Sequence, residues 1–125
     1  MSQAGSYGAG GGSGGGGLTW ALVAVPTATA TTGEGIIAND ATVTITLPAT
    51  ASVGDTFGIT GINNATGWSL AQRANQRVHF GTSSTMTGVA GSLASSATRD
   101  TIEFICVVED LDFQVISSIG NITIV

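Results

Sequence analysis

Few residues in this sequence could act as catalysts, and none has the neighbours that catalysis requires. His79 is the only histidine and lies in an apparent strand, RVHFG, while the only cysteine, Cys106, lies in the apolar run IEFICVV. A nucleophile needs a base within hydrogen-bond reach, and a reactive thiol needs an exposed, electropositive setting. We therefore expect no enzyme. His79 is predicted to make a structural hydrogen bond, and Cys106 to be buried, with an intermolecular disulfide as its alternative.

The one acidic cluster is EDLD, which contains Glu109, Asp110 and Asp112. Three carboxylates in one turn could attract Ca²⁺, but the spacing lacks the alternate ligands, the glycine and the distant glutamate of an EF-hand loop. A solvated hairpin turn is the better interpretation, and we expect neither a metal nor a cofactor. Asp55, in VGDT, is predicted to hydrogen-bond within its own turn.

A polar segment that follows a tryptophan is the best candidate for a ligand surface. Trp68 comes directly after the loop NNATG, and Gln72, Arg73, Asn75 and Gln76 follow it. Binding sites for small molecules combine apolar or aromatic side chains with a few polar groups, so an exposed Trp68 would suit a cell-surface glycan. In the alternative interpretation, Trp68 packs in the core and the polar residues form a turn.

Low charge limits the partners that this chain could have. Charged residues make up 9% of the 125 residues, the net charge is −5, and lysine is absent. Three scattered arginines give no electrostatic footprint for nucleic acid. We expect no membrane insertion, because no apolar run is long enough to span a bilayer, and the first residues lack the features of a signal peptide. A surface rich in Thr, Ala and Gly suits a protein covered by copies of itself, with a hydroxyl-rich monomer as the alternative.

Alternation of apolar and polar residues predicts an all-β chain. In TVTITLP, Val43, Ile45 and Leu47 share one face and the threonines share the other. In DTIEFICVV, Phe104 and Cys106 are likewise expected to point inward. About nine or ten short runs of this kind, separated by Gly, Asn, Asp and Pro, predict a β-sandwich or barrel. The stretch TSSTMTGVAGSLASSAT, with few bulky residues, is expected to be loosely structured.

Several segments together resemble a known kind of module. These are GIIANDATVTITLPATASVGDTFGITG, LAQRANQRVHFG, TGVAGSLAS, DTIEFICVV and SSIGNITIV. The pattern, over roughly residues 27–125, resembles small β-domains of phage tail-fibre and bacterial surface-fibre proteins. The resemblance implies a single jelly-roll-like β-sandwich, often assembled as a trimer and displayed on an extracellular or virion surface, without catalytic residues.

A glycine-rich tract precedes the strands, with nine glycines among the first seventeen residues. Glycine lacks Cβ, so such a segment fits crowded places where any side chain would clash. The sequence therefore predicts an N-terminal connector, residues 1–17, and a β-sandwich domain, residues 18–125. The predicted subunit contacts are Gly11, Gly12, Gly14, Gly15, Gly16, Gly17, Leu18 and Trp20.

These observations predict a structural protein. We expect a self-assembling subunit of an extracellular fibre or appendage, a homo-oligomer in the form of a trimer or filament, with the tract docked on neighbouring copies. The alternative is a receptor- or carbohydrate-binding head of a phage tail fibre or surface adhesin.

Overall fold

A computed structural model describes residues 17–63 and 67–125. Over these ranges the chain forms twelve β-strands and no helix. The strands are β1 (Thr19–Val23), β2 (Thr27–Thr29), β3 (Glu34–Ala38), β4 (Val43–Thr46), β5 (Thr56–Gly61), β6 (Trp68–Ala71), β7 (Arg77–Phe80), β8 (Ser83–Ser84), β9 (Ser92–Ser95), β10 (Thr101–Val108), β11 (Asp112–Ile119) and β12 (Ile122–Ile124).

The strands form two sheets that enclose a single core, in a β-sandwich-like arrangement. The seven-stranded sheet has the order β1-β3-β5-β10-β11-β7-β8, and the five-stranded sheet has the order β12-β9-β6-β4-β2. This confirms the all-β class predicted from the alternating sequence pattern.

The first six strands alternate between the two sheets. β1, β3 and β5 are parallel neighbours in one sheet, and β2, β4 and β6 are parallel neighbours in the other. Residues 19–71 therefore form three successive coils, each adding one strand to each sheet, as in a β-helix. Half of the ten strand pairings are parallel. A jelly roll is built from antiparallel Greek keys, so the expected jelly-roll connectivity is not confirmed.

The core contains the five residues that the alternation of apolar and polar residues predicted to face inward. Val43, Ile45, Leu47, Phe104 and Cys106 are all buried. These positions confirm the predicted facing of β4 and β10, because a shift of one residue would have turned each set toward solvent.

Three phenylalanines from neighbouring strands form the aromatic centre of this core. Phe57 and Phe104 are stacked with ring centroids 5.1 Å apart, and Phe113 meets both rings edge-on. The three strands that carry them, β5, β10 and β11, are adjacent in the seven-stranded sheet. Aromatic packing thus ties the third coil to the C-terminal hairpin.

The hairpin turn predicted at EDLD joins β10 to β11, but another segment was predicted wrongly. β12 crosses from β11 to the five-stranded sheet and pairs with β9. The stretch expected to be loose contains β8 and β9. In β9, SLAS has one bulky residue, Leu93, which is fully buried because β6 and β12 flank the strand on both sides. Such tertiary pairing overrides weak local β propensity.

Replacing Ile45 by Asp tests the register of β4. The variant would bury an unpaired carboxylate in the centre of the core and should lose several kcal/mol of unfolding free energy. Urea denaturation followed by circular dichroism measures the loss. Thr29→Asp, at an exposed position on the neighbouring strand, is the matched control and should change stability little. An unchanged denaturation midpoint for Ile45→Asp would show that the register is wrong.

Candidate subunit interface

The predicted contact residues fall partly on the described chain. Gly11, Gly12, Gly14, Gly15 and Gly16 lie outside the described residues. Gly17, Leu18 and Trp20 lie at the entry to β1, the edge strand of the seven-stranded sheet. Gly17 is exposed, Leu18 is half-buried, and Trp20 is 39% exposed.

Trp20 lies flat on two glycines that face outward from the sheet. The parallel register places Trp20 beside Gly35, and Gly35 beside Gly58. A Cβ at Gly58 would lie 2.6 Å from Cδ1 of Leu18 and 2.9 Å from Cη2 of Trp20, and a Cβ at Gly35 would collide with the indole ring. We call Gly35 and Gly58 the glycine notch. Leu18 and Trp20 fill this notch, which fixes the start of β1 against the sheet.

The outer face of the seven-stranded sheet carries exposed apolar side chains near the notch, together with Glu103, which pairs with Gly58. Leu22, next on the same face of β1, is 58% exposed, and Ile116, at a bulge in β11, is 55% exposed. A shallow pocket of about 160 Å³ lies beside Leu18 and Ile116 and is lined by Gly17, Leu18, Thr56, Phe57, Glu103 and Ile116. Exposed apolar side chains that lie near one another favour a site of protein contact. The point where the tract joins the domain is therefore the candidate interface.

The candidate ligand surface is not formed by its tryptophan. Trp68 is 1% exposed, and its indole Nε1 donates a hydrogen bond to the carbonyl of Asp100 at 2.8 Å. Its backbone N–H donates to Ser95 Oγ at 2.8 Å. The ring is covered by the core and cannot stack on a sugar, which corresponds to the second of the two sequence interpretations.

The glutamines after Trp68 are buried and hold loops together. Gln76 Nε2 donates to the carbonyls of Pro48 (2.8 Å) and Asp110 (3.1 Å), while its Oε1 accepts from the N–H of Arg73 (2.8 Å). Between these residues, Asn75 is exposed and has a left-handed backbone, with φ 68°, as the predicted turn requires.

Gln72 also holds loops together, by hydrogen bonds to backbone carbonyls and to a threonine hydroxyl. Its Nε2 lies 2.8 Å from the carbonyl of Gln76 and 2.9 Å from that of Met86, and the hydroxyl of Thr85 donates to its Oε1. Buried amides need such partners, because an unpaired one costs about 1–3 kcal/mol. Spacing alone did not indicate this role, since the partners are backbone carbonyls distant in sequence.

Asp112 forms an ionic cluster with two side chains of the neighbouring strand. Parallel pairing of β7 with β11 brings Asp112 Oδ2 to 3.1 Å from Arg77 Nη2 and 3.0 Å from His79 Nε2. Burial raises the pKa of Asp112, but hydrogen bonds from His79 and Arg77, together with their charges, outweigh burial and leave the pKa lowered. The predicted structural hydrogen bond of His79 is confirmed.

The acidic turn does not gather its carboxylates at one point. Asp110 Oδ1 accepts from the N–H of Ala51 at 2.8 Å, whereas Asp112 faces Arg77 and His79. Asp55 Oδ2 accepts from the N–H of Ser52 at 2.9 Å, which confirms the predicted turn. Among the described residues, no group of three or more His, Cys, Asp or Glu side chains is arranged to hold a metal ion.

Cys106 is buried in the core, as its apolar context predicted, and forms no disulfide within the described residues. Burial raises the pKa of the Cys106 thiol, which favours the neutral form over the reactive thiolate.

No known family model matches this chain, and no curated protein matches it. Within residues 17–63 and 67–125, no helix has the length and apolar character needed to cross a membrane.

Substitution of Gly35 by Ala tests the fit of Trp20 in the notch. The added methyl group would displace the indole, so the variant should lose about 1–3 kcal/mol of stability. In a Trp20→Ala background the clash is gone, and the same change should be neutral or stabilising by up to about 1 kcal/mol, since alanine loses less backbone entropy than glycine. Urea denaturation of the four proteins measures both steps. Equal effects in the two backgrounds would contradict the notch.

The ionic cluster predicts a dependence of stability on pH. Because the folded-state pKa of Asp112 is lowered, its contribution is fully present above the unfolded value of about 3.9 and is lost as pH falls through the folded value. Asp112→Asn should be less stable than the wild type at pH 6, and the two proteins should converge at the lowest pH. Urea denaturation from pH 7 to pH 2 measures this, with Glu109→Gln as control for lost charge. A constant difference across the range would argue against the ion pair.

Proposed function

We propose that this chain is a structural subunit that assembles with copies of itself into an extracellular fibre or appendage. The observation that carries the proposal is the exposure of Trp20, Leu22 and Ile116 on the outer face of the seven-stranded sheet, whose edge strand β1 follows the glycine-rich tract. Aromatic side chains are enriched in the centres of subunit contacts, and groups of exposed apolar side chains often mark such contacts.

The low charge of the chain supports the same proposal. Charged residues make up 9% of the sequence, and depletion of charge is characteristic of interface cores. The proposed role is structural and needs no catalytic residue or cofactor. Residues 27–125 resemble fibre modules, and on that basis we propose that the protein is displayed on an extracellular or virion surface. The assembled form is proposed to be a trimer or a filament.

The glycine-rich tract is proposed to dock on a neighbouring copy. Ordering each residue costs about 1–2 kcal/mol, and glycine loses the most freedom. Residues 1–16 contain few side chains that could be buried, so backbone hydrogen bonds in a narrow site must recover that cost. A valine side chain in such a site would clash, whereas a solvated linker would accept it.

Removal of residues 1–17 should abolish the higher assembly and leave the domain folded, because β1 begins at Thr19. Gly14→Val and Gly16→Val should also block assembly through steric clash. Ala4→Val, which enlarges a residue that already has a Cβ, is the matched control and should assemble normally. Negative-stain microscopy detects filaments or particles, and circular dichroism verifies folding.

Failure of the wild type to assemble would overturn the proposed function. Normal assembly of the truncated chain and both glycine variants would instead leave the tract a flexible tail, and assembly would then depend on the domain alone.

A further inference from the structure

Trp20 presents one open ring face on the outer surface of the seven-stranded sheet. The other face of the indole lies against Gly35 and Gly58: a Cβ on Gly35 would collide with the ring, and a Cβ on Gly58 would lie 2.9 Å from Cη2. Both glycines are buried, whereas Trp20 is 39% exposed. The indole is therefore held flat on the sheet, with its outer face open to solvent.

A carboxylate lies beside this ring in the same row of the sheet. The strand registers place four residues side by side on β1, β3, β5 and β10, in the order Trp20, Gly35, Gly58 and Glu103. The indole extends along this row, because its Cη2 and Cζ2 atoms lie over Gly58. Glu103 is therefore the next residue beyond the edge of the ring.

The Glu103 carboxylate can accept further hydrogen bonds. Among the described residues, it accepts one from Ser117 Oγ at a long 3.5 Å and takes part in no salt bridge. A carboxylate can accept about four hydrogen bonds through its two oxygens. Because Glu103 is only half-buried, a ligand on the outer face can reach the remaining acceptor sites.

Threonine hydroxyls border the ring and the carboxylate. Thr56 and Thr60 lie on either side of Gly58 in β5 and share its outward face. Thr60 Oγ1 lies 2.6 Å from Thr101 Oγ1 on β10, and Thr56 lines the shallow pocket together with Glu103. One aromatic surface is thus surrounded by hydrogen-bonding groups, as in sites that bind small polar molecules.

We propose that Trp20 and Glu103 form a binding site for a neutral glycan whose pyranose rings carry equatorial hydroxyls, as in chains of glucose or N-acetylglucosamine. The face of an aromatic ring is negative and attracts polarised C–H groups. In such a sugar, the axial C–H bonds point toward the aromatic face and the hydroxyls point outward from the ring. A sugar stacked on Trp20 would therefore direct hydroxyls toward Glu103. We call these two residues the glycan platform.

Charge limits which ligands fit the platform. Hydrogen bonds from sugar hydroxyls to a carboxylate are charge-assisted and strong. An acidic sugar would instead be repelled by Glu103 and by the net charge of −5. The platform should therefore select neutral glycans.

A sugar satisfies Glu103 more readily than a second copy of the chain would. A docked copy would have to pair this carboxylate with a cation, because a buried unpaired charge is costly. Of the three arginines, Arg73 and Arg77 already make hydrogen bonds within the chain. A sugar needs no cation, since its hydroxyls donate directly to the carboxylate.

The glycan platform goes beyond the proposed function and does not depend on it. The proposed subunit contact also includes Trp20, so a neighbouring copy and a glycan cannot cover the ring at the same time. A copy whose outer face is uncovered, as at the end of a fibre, would keep the platform free.

Isothermal titration calorimetry with cellotetraose and N-acetylchitotetraose tests the platform, using the full chain diluted below the concentration at which it assembles. Both neutral probes should bind saturably, and tetragalacturonic acid should not bind. Acrylamide quenching of fluorescence locates the bound probe. Of the two tryptophans, Trp20 is exposed and Trp68 is 1% exposed, so a neutral probe should protect the quenchable signal of Trp20.

Substitutions identify the residues that bind. Trp20→Ala should weaken binding about tenfold or more, because stacking is lost, and Trp20→Phe should restore part of it. Glu103→Gln keeps the shape but removes the charge, and should weaken binding about threefold or more. Glu109→Gln, which removes an exposed carboxylate at the turn between β10 and β11, is the matched control and should bind as the wild type does. Circular dichroism verifies folding.

Undiminished binding by both Trp20→Ala and Glu103→Gln would overturn the platform, and so would a wild type that binds neither neutral probe. Equal binding of tetragalacturonic acid would also overturn it, because Glu103 would then not select neutral sugars. Assembly is judged separately. A wild type that assembles but binds no probe retains the proposed function, whereas one that binds both neutral probes but never assembles loses the proposed function alone.

Discussion

Every strand of a sheet must find hydrogen-bond partners for its backbone, and this chain meets that constraint by coiling from one sheet to the other. β3 pairs with β1 and β5, while β4 pairs with β2 and β6. Each coil therefore completes the backbone of the previous one, and the inner side chains meet in a common core. The first coil has a neighbour on one side only within the described chain. The arrangement that builds the domain thus leaves an open end.

Stability comes from apolar burial and neutral hydrogen bonds far more than from charge. The three phenylalanines join β5, β10 and β11, and the buried amides of Gln72 and Gln76 fasten the loops at the rim of the core. Among the described residues, the cluster of Asp112, Arg77 and His79 contains the ion pairs that contribute to stability. Charged residues make up only 9% of the sequence, so packing and neutral hydrogen bonds must supply most of the stability.

The glycine notch holds β1 in place, and β1 is the edge strand of the seven-stranded sheet. Leu18 and Trp20 fix the start of β1 on the outer face, which holds its backbone edge in position. Gly17, the last residue of the predicted connector, lines the shallow pocket together with Leu18 and Ile116.

The sequence by itself determined the all-β class, the facing of β4 and β10, the turn at Asp55 and the burial of Cys106. These features follow from local alternation and turn chemistry, which depend on residues close together in the chain. Only the tertiary structure decided that β1, β3 and β5 pair in parallel in one sheet and β2, β4 and β6 in the other. It also decided that SLAS forms a strand with Leu93 buried, and that Trp68 lies in the core. In each of these cases the deciding partner is distant in sequence: Leu93 is buried because β6 and β12 flank it, and Trp68 because its indole reaches the carbonyl of Asp100. Pairing between distant strands depends on which strand edges and side chains meet in space, and the local periodicity of the sequence does not specify these partners.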